Sequence, residues 1–303
     1  MVQMMNTRDL QYLVALSDHR HFGRAAEACF VSQPALSMQI KKLEETLGIK
    51  LLERNNKSLL LTEAGIAVTE RARVIINQVS EMRDLAKLAK DPYSGELKIG
   101  IIPTLAPYLL PLIIPFLSKE FPKTSFYLIE EQTGNLIDKL KSGKLDAAFL
   151  ALPVMETSFS TSLLFEEEFL LAVPNNHPFA KRKTITQNDL DKQNVLLLEE
   201  GHCMREQTLA VCHKMKATET QNFRATSLET LRHMVAAGSG ITLMPKLAQQ
   251  LNANISYIPF AAPKPVRSIG LCWRFSTAKN VLLEEMTTRI RKIMSPQKIR
   301  VVR

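Results

Sequence analysis

The stretch that decides the fold reads Phe22-Gly23-Arg24-Ala25-Ala26-Glu27-Ala28, then Val31-Ser32-Gln33-Pro34-Ala35-Leu36-Ser37, then Ile40-Lys41-Lys42-Leu43-Glu44 and Leu47-Gly48. A short alanine-rich helix fills 23–29, and Phe30-Val31 makes a tight turn. Ser32 is a good N-cap, and Pro34 is tolerated in a first helical turn. Leu36, Ile40, Leu43 and Leu47 recur at helical spacing, and Gly48 stands at the C′ position. At ~100° per residue, Pro34, Ser37, Met38, Lys41 and Lys42 point away from that apolar stripe. A helix, a short turn and a helix with a polar outer face make the pattern whose second helix enters the major groove of DNA. An ordinary helical hairpin with a solvated face has the same periodicity.

Upstream, Leu10, Leu13, Val14 and Ser17 follow helical spacing after a polar Asn6-Thr7 start. Downstream, Leu51-Leu52-Glu53-Arg54, Asn55-Asn56 and Ser58-Leu59-Leu60-Leu61 read as a β-hairpin, because Asn tolerates the left-handed conformations such turns need. Arg54 and Lys57 stand near its tip. Val68, Ala72, Ile75, Val79, Met82, Ala86 and Ala89 then alternate spacings of four and three, an a/d seam on a helix of ~29 residues that Thr62 can cap. Asp91-Pro92-Tyr93-Ser94-Gly95 stops it.

The sets from Phe22 to Leu47-Gly48, with Leu51-Leu52-Glu53-Arg54 and Leu61-Thr62-Glu63-Ala64-Gly65, resemble the LysR-type transcriptional regulators. The resemblance implies a winged helix-turn-helix over 1–61 and a linker and dimerisation helix with its boundary over 62–94. It implies a two-subdomain, periplasmic-binding-protein-like α/β sensing domain over 95–303, with subdomain I at about 95–167 and 269–303 and subdomain II at about 168–268. The DNA-contacting set it implies is Arg24, Ser32, Gln33, Pro34, Ser37, Lys41, Lys42 and Arg54.

Composition fits this organisation. The chain has 303 residues, enough for roughly two domains. Lys and Arg exceed Asp and Glu by 39 − 30 = 9, which favours an anionic partner. The excess is not focused on the N-terminal region: residues 1–90 hold 13 basic and 10 acidic side chains, while the last 15 hold six basic and no acidic ones. No secretory signal is visible at Met1-Val2-Gln3-Met4-Met5, and the apolar run 105–117 is too short for a membrane span and holds three prolines. The reading is a cytoplasmic protein. Four cysteines in that reducing setting point to redox or packing roles rather than structural disulfides. No spacing suits zinc, so neither metal nor cofactor is expected.

Beyond residue 95, apolar strand segments alternate with helical ones: strand at 97–102, proline-interrupted helix at 108–121, strand at 126–129, helix at 136–141, strand at 147–150. That alternation predicts an α/β domain with a mostly parallel sheet. Thr226-x-x-Glu229 reads as a capping box for a helix through Ala237, followed by a strand at 241–244 and a last helix at about 279–294. Ligands of open α/β sheets sit at the carboxyl ends of strands, where Thr104 and Thr133 fall.

The chemistry centres on Leu198-Glu199-Glu200-Gly201-His202-Cys203-Met204-Arg205-Glu206-Gln207, with Cys212 beyond. Cys203 sits where a helix begins, beside His202 and Arg205. The thiolate is the reactive form of cysteine, and helix N-termini and neighbouring cations favour it. Taken alone, Cys203 also reads as a small apolar filler. Cys29 and Cys272 read as packing residues, and His19, His21, His213 and His233 as surface or capping groups. Segments 100–104, 107–111, 142–146, 201–203 and 223–231 resemble the peroxide-sensing members of the LysR-type family. That resemblance implies that Cys203 is oxidised by hydrogen peroxide and that Cys212 resolves it as a redox-active disulfide. Thr104, Thr133, His202, Arg205 and Glu206 would form the peroxide site, with Glu206 where Asp is usual. The implied partners are double-stranded promoter DNA, a second copy in a homodimer or homotetramer, RNA polymerase and a cellular thiol reductant. A metabolite-responsive LysR-type regulator with incidental cysteines is the alternative. A thiol peroxidase would leave the first 90 residues without a purpose, so no enzyme is expected.

Overall fold

Asn6 opens the first helix, α1 (Thr7–His19), through a capping box: its side chain accepts from the Asp9 amide, and Asp9 accepts from the Asn6 amide, each at 3.0 Å. The structure is a computed structural model and describes residues 5–55, 58–88, 90–212, 218–250, 253–294 and 300–301. The chain divides into two compact units, Met1–Lys90 and Asp91–Arg303.

In the first unit, α2 (Phe22–Ala28) starts on the side chain of His21, which accepts from the Arg24 amide. Phe30, in the turn, has a positive φ of 56°. The next helix, α3 (Gln33–Leu47), is capped by Ser32 and ends on Gly48 at φ +69°. Leu36, Ile40 and Leu43 are buried with Leu13, Leu16 and Ala25 in one core. Glu44 is buried on the same helix because it accepts the amides of Leu51 and Leu52 and pairs with Lys50 at 2.9 Å. Burial would raise its carboxyl pKa, but Lys50 and the two amides outweigh burial and lower it. The hairpin forms as expected from β1 (Leu52–Asn55) and β2 (Ser58–Leu61), antiparallel. Asn56 and Lys57 lie outside the described residues.

Thr62 caps α4 (Glu63–Leu88), accepting from the Gly65 amide at 2.9 Å. Gly65 tolerates no side chain, since a Cβ would lie 2.1 Å from the Leu51 carbonyl oxygen. The helix begins by serving its own unit. Ala72 is buried, Val68 packs on the α1–α3 core, and Arg73 pairs with Asp18. Later turns expose Ile75, Met82 and Leu85. Ala89 lies outside the described residues.

The second unit opens with β3 (Gly95–Ile101), α5 (Ala106–Glu120), β4 (Thr124–Glu130), α6 (Thr133–Lys141) and β5 (Ala147–Leu152). Strands β4, β3 and β5 are parallel neighbours. A 16-residue strand, β6 (Phe159–Pro174), then runs through both halves of the unit. It is followed by β7 (Asn194–Leu198), α7 (Cys203–Cys212), β8 (Thr218–Ala225), α8 (Leu228–Ala236), β9 (Thr242–Pro245) and β10 (Ile255–Pro259). The return strand β11 (Val266–Arg274) lies antiparallel to both β6 and β5. The chain closes with α9 (Asn280–Met294) and the short β12 (Arg300–Val301).

Two expectations are corrected here. The principal sheet, in the order β10-β6-β11-β5-β3-β4, is mixed rather than mostly parallel, because the long crossing strands β6 and β11 join it antiparallel. The helix α8 starts one residue later than its capping pattern implied. Ser227, not Thr226, is the N-cap, accepting from the Thr230 amide at 3.2 Å. Glu229 is drawn away to Tyr108 and Arg232.

Two apolar clusters fill the unit. One gathers β3, β5, α5 and α9 with Phe165, Ile269 and Leu271. The other gathers β7, α8, β9 and β10. They are called here the first and second subdomain cores. Cys272, on β11, is fully buried in the first, which pushes its thiol up to about 12. No helix among the described residues is long and apolar enough to cross a membrane.

Candidate functional site

The outer face of α3 carries the first candidate site. Ser32, Gln33, Pro34, Lys41 and Lys42 are exposed, Ser37 is half-buried, and Met38 keeps 64% of its surface. Lys41 has one exposed partner, Glu45, at 3.9 Å, an i,i+4 pair of little energetic weight. Arg24 is exposed on α2 and donates to the His19 carbonyl at 3.0 Å. Arg54 lies in β1. The polar side of α3 is thus left for a partner, while its apolar side is consumed by the core.

The second candidate site lies where the two subdomains meet. Strand β7 delivers Leu198, and Gly201 turns the chain at φ +91° so that Cys203 becomes the first residue of α7. Cys203 is half-buried and packs on the first subdomain core, although α7 follows a strand of the second. Arg205 is buried and donates from Nη1 to the Leu198 carbonyl at 3.0 Å, tying the helix to β7.

His202 is also buried, and its Nε2 faces Glu199 Oε1 at 3.7 Å. Burial lowers its pKa below the usual imidazole value, with Glu199 opposing. Burial thus favours the neutral ring over the cation. A neutral imidazole still has one donor and one acceptor. Because the folded pKa is depressed, the stability this burial carries is present above the ordinary imidazole pKa and is lost as pH falls through the lowered value.

Thr104 and Thr133 sit at the carboxyl ends of the adjacent parallel strands β3 and β4. Thr104 is buried and held by Arg267, whose Nη1 reaches its hydroxyl at 3.1 Å and whose Nη2 reaches its carbonyl at 3.2 Å. Arg267 pairs with Glu167 at 2.8 Å, both side chains fully buried, and Glu167 also accepts the Leu247 amide at 2.6 Å. Thr133 begins α6, and its hydroxyl is buried without a hydrogen-bond partner; the side-chain oxygen of Gln207, on α7, is in the same condition. Such orphaned groups are uncommon in native interiors, and each calls for a local explanation such as a bound water. Glu206 is exposed on the first turn of α7, where a carboxylate favours the helix dipole. Among the described residues, no group of His, Cys, Asp and Glu could hold a metal ion.

Gln132, Glu167 and Arg267 were not among the residues singled out from sequence, and Gln207, within the stretch quoted there, was given no role. Only Arg267 left a signal, the one charge within residues 266–273, where only Ser268 is otherwise polar. The Glu167→Ala variant would leave that guanidinium buried and unpaired, so a stability loss of about 3–5 kcal/mol is expected. A urea unfolding midpoint close to wild type would refute this; a Glu167→Leu, Arg267→Met pair is expected to lose much less.

Residues 7–66 match the bacterial regulatory helix-turn-helix protein, LysR family, and residues 90–294 match the LysR substrate binding domain. The chain belongs to the LysR family. Within that family it is 47% identical over 293 residues to the DNA-binding transcriptional dual regulator OxyR of Escherichia coli (strain K12), covering 96% of each chain. It is 46% identical, at the same coverage, to the hydrogen peroxide-inducible genes activator of Dickeya chrysanthemi. A full-length OxyR variant from Pseudomonas aeruginosa superposes with a TM-score of 0.78 at 38% identity, covering 95% of each chain. The reduced and oxidised forms of OxyR give 0.64 and 0.63 at 44% and 45% identity, each spanning 69% of this LysR-family chain and all of that one.

Proposed function

We propose that this LysR-family chain is a DNA-binding transcriptional regulator of oxidative-stress genes that senses hydrogen peroxide through Cys203 and Cys212. The observation that carries the reading is Cys203 at the start of α7, half-buried against the first subdomain core, with unpartnered buried oxygens on Thr133 of α6 and on Gln207 of α7 itself. In the proposed reaction the Cys203 sulfur attacks one peroxide oxygen, an S–O bond forms, the O–O bond breaks, and hydroxide leaves and takes a proton. The product is a sulfenic acid. The Cys212 thiol then displaces water from it to give a disulfide. Two equivalents of a cellular thiol return both cysteines to the reduced form and are themselves oxidised to a disulfide. We read the chain as a regulator rather than an enzyme because residues 7–66 match the LysR-family helix-turn-helix, which a thiol peroxidase has no use for.

The metabolite-responsive alternative wants a free cation for a carboxylate ligand. Arg267, beside Thr104, is already neutralised by Glu167. We further propose 1–61 as the DNA-binding domain, 62–94 as the linker and 95–303 as the sensing domain, acting in the cytoplasm. The exposed Ile75, Met82 and Leu85 of α4 fit pairing with a second copy in a dimer or tetramer. RNA polymerase would read the bound assembly.

DNA footprinting tests the reading. Lys41→Ala or Lys42→Ala is expected to weaken binding to all sequences and to flatten its salt dependence. Gln33→Ala with Ser37→Ala is expected to relax preference at particular base pairs. Binding by that double variant with unaltered strength and sequence preference would remove α3 from the groove.

A further inference from the structure

Gln132 is the residue immediately before α6 and Thr133. Its side chain reaches across to the turn that delivers Cys203. The amide Nε2 donates to Glu199 Oε1 at 3.2 Å and to the Glu200 carbonyl at 3.4 Å. The amide oxygen lies against Gly201, where a Cβ would come within 2.4 Å of it. Glu199 in turn faces the buried ring of His202. One side chain from the first subdomain therefore engages three consecutive residues, 199 to 201, directly ahead of His202 and Cys203. The neighbouring Thr133 offers its unpartnered hydroxyl from the same helix end.

We propose that Gln132 is a positioning residue for the oxidation of Cys203, fixing the 199–201 turn so that the sulfur and the Thr133 hydroxyl face one another across the subdomain boundary. The inference rests on the reading of Cys203 as the peroxide-reactive thiol. Gln132 itself exchanges no proton and forms no bond. Its task is geometric. Thr133 belongs to α6 and the sulfur to α7, and the elements carrying them belong to different subdomain cores. A peroxide held at the hydroxyl reacts only when the sulfur lies in line with the O–O bond, and a displacement of about 1 Å can cost on the order of a hundredfold in rate. The amide is the required group. It donates twice, to a carboxylate and to a carbonyl, and its oxygen packs where glycine leaves room. A carboxylate at this position would have the same shape but no donor, and would face Glu199 as a like charge.

The test uses the full chain and compares wild type, Gln132→Ala, Gln132→Glu and Gly201→Ala, alone and with Gln132→Ala. Two rates are measured at Cys203 by mass spectrometry: oxidation by hydrogen peroxide, and alkylation by iodoacetamide, which needs no held peroxide. Both Gln132 variants are expected to oxidise at least about ten-fold more slowly with alkylation unchanged. Gly201→Ala is expected to slow oxidation as well, and by a smaller factor in the Gln132→Ala background, because the added methyl group then no longer meets the amide. Gln132→Asn, which keeps the amide and retracts it by a methylene, replaces Gln132→Ala if that variant fails to fold. Oxidation at the wild-type rate in Gln132→Ala overturns the proposal. Equal slowing of both reactions overturns it too, since that marks general disturbance of the thiol. A wild-type Cys203 inert to peroxide would instead overturn the reading on which it rests.

Discussion

Cys203→Ser is expected to abolish the response to peroxide entirely, whereas Cys212→Ala is expected to leave Cys203 oxidisable and to stop at the sulfenic acid. The asymmetry follows from where the two residues lie. Cys203 is at the N-terminal end of α7, where unpaired backbone amides favour a developing negative charge, and Arg205 lies two residues on, within the first turn. Cys212 is at the C-terminal end, where the carbonyls and the dipole oppose one. The serine hydroxyl keeps the size of the thiol and removes its nucleophilicity, so a structural role would survive the change and a redox role would not. The measurement is mass spectrometry of alkylated peptides after sub-stoichiometric peroxide, alongside DNA footprinting. If Cys212 is oxidised first in the intact protein, the assignment of roles is reversed.

The two competing effects at this site show why electrostatics was harder to read than chemistry. The sequence places a histidine beside the cysteine, and a histidine can be a cation. Folding buries His202 and lowers its pKa, which favours the neutral ring. Burial is a property of what packs on a residue from elsewhere in the chain, and local sequence does not contain it. The same limit hides Arg267 and Glu167, which meet across 100 residues of chain, and Gln132, which meets Glu199 across 67. By contrast the helix-turn-helix was legible because its determinants are local. The caps at Asn6, Ser32 and Thr62, the stripe Leu36-Ile40-Leu43 and the stop at Gly48 each act within a few residues. The strands of the sensing unit were legible in kind, but not their pairing. Nothing near Phe159 announces that β6 continues for 16 residues through both subdomains. A single-residue misplacement of the α8 cap has a similar origin, since Thr226 and Ser227 are both competent caps and the choice falls to Glu229, which a distant tyrosine claims.

Oxidation is expected to unwind α7. In this structure Cys203 and Cys212 are the first and last residues of one helix. Nine steps of ~1.5 Å separate them by ~13.5 Å along the axis, and nine turns of ~100° leave them on opposite sides. A disulfide needs Cα atoms within about 7 Å. Helix and bond therefore exclude each other, and the covalent bond wins, because a ten-residue helix is marginal without its packing. Unwinding would draw Cys203 off the first subdomain core, release Arg205 from Leu198 and strain the contacts of Gln132 with residues 199 to 201. The displaced chain leads directly into β8 and α8, and α8 reaches the first subdomain through the Tyr108–Glu229 bond at 2.8 Å. A local redox event thus has a path to the relation between the subdomains, a two-state element biased by one bond. Hydrogen exchange reads this directly. Amides of 206–212 are expected to lose protection on oxidation, while those of β3, β5 and α3 keep theirs. Unaltered protection across α7 in a protein shown by mass spectrometry to hold the Cys203–Cys212 disulfide would sink the mechanism. So would a disulfide that forms, unwinds the helix and leaves the DNA footprint the same, because the change would then end inside the sensing unit and never reach α3.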